Sequence, residues 1–164
     1  MAVPSIEQRL NRKIVEVLKH AYKKEEYPEA INKITYASMF NNKMLLVHLI
    51  RQGIPYSLFH LIQDFTPFSE SDWADFLDIS TKSLQRYKQV DKNFKPIQSE
   101  KIIELTEVTS VGLEVFGDMD KFKLWLDTPN YALGKLKPVE LLKDSYGKEM
   151  VISELTRINH GIFA

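Results

Sequence analysis

The sequence predicts an all-α protein, on three observations. Apolar residues recur at intervals of three and four along nearly the whole chain, the period of a helix with one buried face. The alternation expected of a half-buried strand is nearly absent. Proline and glycine punctuate the periodic segments at Pro28, Gly53, Pro55, Gly117 and Pro138. At 164 residues, 44% hydrophobic and 27% charged, the chain is long and apolar enough to fold around a real core.

Taken in order, Ile6, Leu10, Ile14, Val17 and Leu18 form one stripe and predict a helix over 5–24. It weakens through Lys23-Lys24-Glu25-Glu26 and stops at Pro28. Residues 28–43 carry a weaker pattern, a short helix or a loop. The stretch KMLLVHLIRQG is apolar nearly all round and predicts a short buried helix closed by Gly53. Pro55 suits the first position of the next helix, which carries Leu58, Phe59, Ile62 and Phe65 and breaks at Thr66-Pro67-Phe68. Ser69 and Ser71 are both candidate N-caps for a helix with Trp73, Phe76 and Leu77 on one face. A glycine-free turn, Asp78-Ile79-Ser80, leads into a second short helix, TKSLQRYKQ, and residues 91–97 read as a loop. From Gln98 a long helix shows Ile102, Leu105, Val108, Gly112 and Val115 and is closed by Gly117. Short helices follow near 119–127 and 138–144, and a last one over 146–160 carries Val151, Leu155 and Ile158.

Charge singles out the pair of short helices. The chain holds 22 basic and 22 acidic residues, yet residues 66–78 carry Glu70, Asp72, Asp75 and Asp78 with no base. Residues 79–95 carry Lys82, Arg86, Lys88, Lys92 and Lys95 against Asp91 alone. Two short helices joined by a tight turn, the first apolar-faced and the second basic, resemble a helix-turn-helix. On the second helix Lys82, Gln85, Arg86 and Gln89 fall within about a 100° arc, with Leu84 and Tyr87 on the other side. Arg, Lys and Gln are side chains that pair with base edges in the major groove, and Thr81 and Ser83 suit phosphate oxygens. The predicted DNA-reading set is Thr81, Lys82, Gln85, Arg86 and Gln89. An ordinary solvated helix face beside a core is the alternative.

The C-terminal third carries a more specific pattern. After Phe116-Gly117-Asp118 come Trp125-Leu126, then Thr128-Pro129-Asn130, Ala132-Leu133-Gly134 and Pro138, then Glu140-Leu141-Leu142, a break at Asp144-Ser145-Tyr146-Gly147, a helix, and Gly161-Ile162-Phe163-Ala164 at the end. Locally, Thr128-Pro129-Asn130 is a turn, Leu133-Gly134 a chain reversal and Pro138 a helix start. This order and spacing resemble the C-terminal toxin-binding domain of the MbcA/ParS/Xre antitoxin family, whose members place a helix-turn-helix just upstream. His160 departs from the pattern, standing where many relatives carry an aromatic.

The resemblance implies three regions: an N-terminal helical extension over 1–43, a helix-turn-helix domain over 44–97 and a toxin-binding domain over 98–164. It further implies an antitoxin that covers the active site of a cognate RES-domain, NAD-degrading toxin, with Arg157, His160, Gly161, Ile162, Phe163 and Ala164 as toxin-binding residues. Operator DNA would be the second partner, bound by a homodimer or by the complex with toxin to repress its own operon. The 98–116 stripe, with Gly112 allowing close approach, and the 5–24 helix are the candidate dimer seams. The apolar tail either plugs the toxin or docks back near Trp125 or Leu155. A transcriptional regulator without a toxin, or a localisation adaptor, is the alternative function.

Several chemistries have no residues to carry them. There is no cysteine, so thiolate zinc, disulfides and thiol catalysis are excluded. His20, His48, His60 and His160 have no metal-ligand spacing, Gly147-Lys148 lacks the rest of a P-loop, and no nucleophile motif occurs. The expectation is a non-enzyme with no cofactor or metal. The N-terminus has no signal-peptide core and the longest strictly apolar run is Met44 to Val47, so a cytoplasmic protein without a membrane span is expected.

Overall fold

Side-chain caps set where the helices begin. The computed structural model describes residues 2–22 and 29–161; the charged stretch from Lys23 to Glu26, the stop at Pro28 and the tail residues Ile162, Phe163 and Ala164 lie outside the described residues. Ser5 and Gln8 exchange the two hydrogen bonds of a capping box, and α1 runs Ile6–Ala21 with Leu10, Ile14, Val17 and Leu18 buried. A 3₁₀ turn at Glu29–Lys33 and the one-turn α2 (Tyr36–Met39) occupy the weakly patterned stretch.

The next helix, α3 (Lys43–Gln52), ends at Gly53, whose φ of 89° suits glycine. It is less buried than its composition predicts: Leu45 and Leu49 are covered, while Met44 is 63% exposed. Helix α4 (Tyr56–Asp64) starts one residue later than expected. Pro55 stays extended as its N-cap, with its carbonyl accepting from Phe59. Ser69, and not Ser71, caps α5 (Glu70–Leu77), because Asp72 three residues on completes the box. The long helix α7 (Pro96–Phe116) begins two residues before the predicted start. Pro96 sits at its first turn and Gln98 accepts from the Lys95 amide, so the preceding loop is shorter than 91–97. Beyond it lie α8 (Met119–Leu126), a 3₁₀ turn at Tyr131–Leu133, α9 (Pro138–Leu141) and α10 (Ser145–Asn159). Among the described residues the only β pairings are the isolated bridges Pro55–Asn93 and Asn130–Leu136, so the fold is all-α.

Helix α7 is the central post. Its faces take α3, α5, α8 and α10, and Ile102, Leu105, Val108 and Gly112 are buried. Its interior polar groups are satisfied: Ser99 accepts from the Ile54 amide at 2.9 Å and donates to Phe94 O, while Thr106 and Thr109 donate to carbonyls one turn back. The close approach at Gly112 is made within the chain. The Phe122 ring of α8 fills the space a Cβ would need. Both stripes proposed as dimer seams are therefore spent inside the chain, since the apolar face of α1 packs on α3 and α4.

Candidate functional site

Three residues join α5 to α6 (Thr81–Val90). Asp78 adopts the left-handed conformation that glycine often supplies in such turns, with φ 53° and ψ 46°. Asp tolerates that region better than most residues, which is how the turn does without glycine. Ser80 then caps α6 by accepting from the Ser83 amide at 3.0 Å. The inner face of α5 is a ring cluster: Trp73 meets Phe59, Phe68 and Phe76 edge-on at 5.1–6.0 Å. Leu84 and Tyr87 anchor α6 to the core, and Tyr87 stacks on Phe94 at 4.6 Å.

That anchoring leaves Thr81, Lys82, Gln85, Arg86 and Gln89 exposed on the outer side of α6. The structure thus presents the predicted set on one helix, free of the core. Lys92 lies with its ammonium 5.0 Å from the Tyr87 ring, a cation–π contact at the end of α6. Asp91 closes α6 in the left-handed region and accepts from both the amide and the hydroxyl of Ser57, tying the end of α6 to the start of α4. Lys95, Lys101 and Lys143 share a surface recess of about 400 Å³ with Asp78 beside the turn.

Most of the acids on α5 are committed inside the chain. Asp72 completes the cap, and Asp75 meets Lys143 at 3.9 Å. Glu70 accepts a hydrogen bond from the side-chain nitrogen of Gln85. The Tyr56 hydroxyl is pushed above its ordinary value chiefly by burial, and further by the charges of Glu70 and Asp64. The Glu70–Gln85 contact bridges positions fifteen apart, which no local pattern in the sequence reveals.

In the C-terminal region Asn130 organises the turn after α8. Its side chain accepts from Ala132 N at 2.8 Å, while its backbone pairs with Leu136 and Lys135. Gly134 and Lys135 both take positive φ, completing the reversal expected at Leu133-Gly134. Helix α10 is held on α7 by Val151 and Leu155 and by Lys148, which reaches Glu107 at 3.3 Å. Its outer face mixes Glu149, Ser153 and Glu154 with two large apolar side chains in solvent: Tyr146 is 82% and Met150 46% exposed, and Tyr131 on the facing turn is 84% exposed. Between that turn and α10 an open recess of about 450 Å³ is lined by Leu133, Tyr146, Met150 and Arg157 among others.

Arg157, in the predicted toxin-binding set, lies at this recess and pairs with Glu154 at 2.8 Å. His160 and Gly161 are exposed at the end of α10, where Gly161 turns left-handed and donates to Ile158 O. Ile162, Phe163 and Ala164 lie outside the described residues. Sequence reasoning missed Tyr146, Met150 and Tyr131. The signal was present: Tyr146 and Met150 stand four apart on α10, off the Val151–Leu155 stripe. Among the described residues no cluster of three His, Asp or Glu is arranged to hold a metal, and no helix is long and apolar enough to cross a membrane.

Comparison with known proteins matches both regions. Residues 45–106 match the family model of the antitoxin Xre-like helix-turn-helix domain, and residues 112–161 that of the antitoxin Xre/MbcA/ParS C-terminal toxin-binding domain. An antitoxin Xre of Yersinia enterocolitica is 28% identical over 121 residues, 73% of this chain and 82% of that protein. An antitoxin Xre of Photorhabdus laumondii is 27% identical over 115 residues, 70% of this chain and 78% of that protein. A chain of the M. tuberculosis MbcT–MbcA toxin–antitoxin complex superposes with a TM-score of 0.54 at 22% identity, covering 66% of this chain and 96% of that one; at this identity the likeness speaks for the fold.

Proposed function

The chain belongs to the Xre/MbcA/ParS antitoxin family, and from that premise we propose that it neutralises a cognate RES-domain, NAD-degrading toxin in the cytoplasm and represses its own operon. The observation that carries this reading is the apolar surface of α10 and the turn facing it. Tyr131, Tyr146 and Met150 stand outside the core, within the span matched by a toxin-binding domain. Full burial of an exposed side chain of this size contributes about 1.5–3 kcal/mol, so these three offset part of the cost of association and the rest comes from the remaining interface. Arg157, paired with Glu154, adds a polar contact at the same recess, and residues 160–164 would enter the toxin's active-site cleft. The protein supplies no catalytic group; it inhibits by occupying the entrance.

The exposed face of α6 supports operator binding, with Arg86, Lys82 and the two glutamines at base edges and Thr81 at phosphate. Regions 44–97 and 98–164 meet along α7, so toxin and operator engage separate faces of one framework. Two-fold operators call for a homodimer, whose seam uses surface outside the two stripes already spent in the core. The test is co-expression with the adjacent reading frame. The reading requires restored growth, preserved cellular NAD and a co-purifying complex. If the neighbour is not neutralised while operator binding persists, the protein is a regulator without a toxin.

A further inference from the structure

We propose that Glu70 is a specificity-determining residue that sets Gln85 to read a base carrying an exocyclic amino group, adenine foremost. The proposal rests on the operator-binding reading above and deepens it. A glutamine amide offers two N–H donors and one carbonyl acceptor, and its two ends are nearly the same shape. An unrestrained Gln85 therefore reads several bases. It can turn its N–H groups towards the O6 and N7 acceptors of guanine, or set carbonyl and N–H against N6 and N7 of adenine.

In this structure the choice is already made. The Gln85 nitrogen donates to Glu70 Oε1, which fixes the amide orientation and consumes one of the two donors. What remains is one N–H and the carbonyl, the complement of adenine's N7 acceptor and N6 amino group. Cytosine can use the carbonyl alone through N4. Guanine and thymine offer only acceptors to hydrogen-bond here, so each can take the one free N–H but leaves the Gln85 carbonyl against an acceptor or without a partner.

Two further facts separate Glu70 from the other acids of α5. It plays no part in the capping box, which belongs to Ser69 and Asp72. No ion pair forms on it among the described residues, whereas Asp75 meets Lys143. A carboxylate without a counter-cation beside a DNA-reading helix weakens binding to every phosphate backbone. It gains discrimination in exchange, because specificity is a difference of affinities and grows when wrong partners are penalised.

The experiment is selection from a randomised duplex DNA library with the full chain, comparing wild type, Glu70→Ala, Glu70→Gln and Gln85→Ala, each checked by thermal melt. Gln85→Ala identifies the operator position that Gln85 reads. Wild type is expected to prefer adenine there, or cytosine, by about 10-fold. Glu70→Ala is expected to lose most of that preference at that position alone, and Glu70→Gln, whose amide oxygen still accepts from Gln85, to keep it. Guanine or thymine at that position overturns the proposal, as does a preference unchanged in Glu70→Ala. Enrichment without any position lost in Gln85→Ala also overturns it, while leaving operator binding intact. A wild-type chain that enriches no sequence refutes operator binding itself, and the proposal with it.

Discussion

Replacing Gly112 by alanine sets two physical terms against each other, and the structure decides which wins. Gly112 lies inside α7, where helix propensity alone makes alanine more stable by about 0.8–1.0 kcal/mol. An ideal Cβ at this position, however, falls within 3.0 Å of three carbons of the Phe122 ring, where contact is optimal at about 3.5–4.0 Å. The ring has nowhere to retreat: Phe122 is fully buried, with Phe116 stacked at 6.0 Å and Trp125 at 6.3 Å. Overpacking a core site costs typically 1–3 kcal/mol, and this rigid, enclosed ring belongs at about 3. Subtracting the propensity gain leaves a net loss of about 2 kcal/mol, or a fall in Tm of about 4–8 °C for a chain of this size. Circular dichroism melts at 222 nm with matching urea titrations measure it. A Tm that is unchanged or raised would refute the seating of α8 on α7 at this notch.

Other perturbations probe separate parts. Burial holds the Tyr36 hydroxyl above its ordinary value of 10.0, so above about pH 10 the unfolded chain has released a proton that the native state keeps. Stability should therefore fall as pH rises past 10, by up to about 1.4 kcal/mol per pH unit for this group. Tyr36→Phe should flatten that limb in urea titrations from pH 9 to 11, leaving the part due to Tyr22 and Tyr56, also raised by burial. Arg86→Ala should cost about 1–3 kcal/mol of operator affinity and relax specificity, whereas Lys95→Ala should weaken all sequences alike and lower the salt slope by about one. Operator affinity unchanged in Arg86→Ala would remove α6 as the reader. Deleting residues 161–164 should weaken toxin inhibition about 10-fold or more, since Ile162 and Phe163 offer about 3–6 kcal/mol of burial less the cost of ordering the segment. A lowered Tm with undiminished inhibition would show instead that the tail packs on its own domain.

Much of the fold was legible because it is written in local chemistry. Ser69 with Asp72, and Asn130 ahead of its turn, each mark a boundary through a hydrogen bond that spans two or three residues, whereas α7, where Gln98 accepts from the Lys95 amide, starts two residues before the expected Gln98. Position on the helix surface was legible where polar and apolar faces differ sharply, as on α6. It failed on α3, where residues apolar all round carry no period, and Met44 proves to face solvent. The notch at Gly112 was visible but its occupant was not, because spacing says that something approaches closely without saying whether it is another chain or Phe122 ten residues on. The site split along the same line. Arg86 and its neighbours follow from one helix, whereas Glu70 against Gln85 depends on how two helices cross. Tyr146 and Met150 were overlooked because the core stripe of α10 accounts for the helix without them.

Toxin binding by the outer face of α10 is open to direct measurement. Isothermal titration of the toxin from the adjacent reading frame should compare wild type with the double substitution Tyr146→Ala/Met150→Ala, the Tm and operator affinity of both being measured alongside. Tyr146 is largely solvent-exposed in the free protein and Met150 about half, so the fold should be little disturbed. Losing about 1.5–3 kcal/mol at Tyr146 and about half that at Met150 predicts a Kd at least about 30-fold weaker, with Tm and operator binding retained. A complex that forms with undiminished affinity would contradict the assignment of this surface.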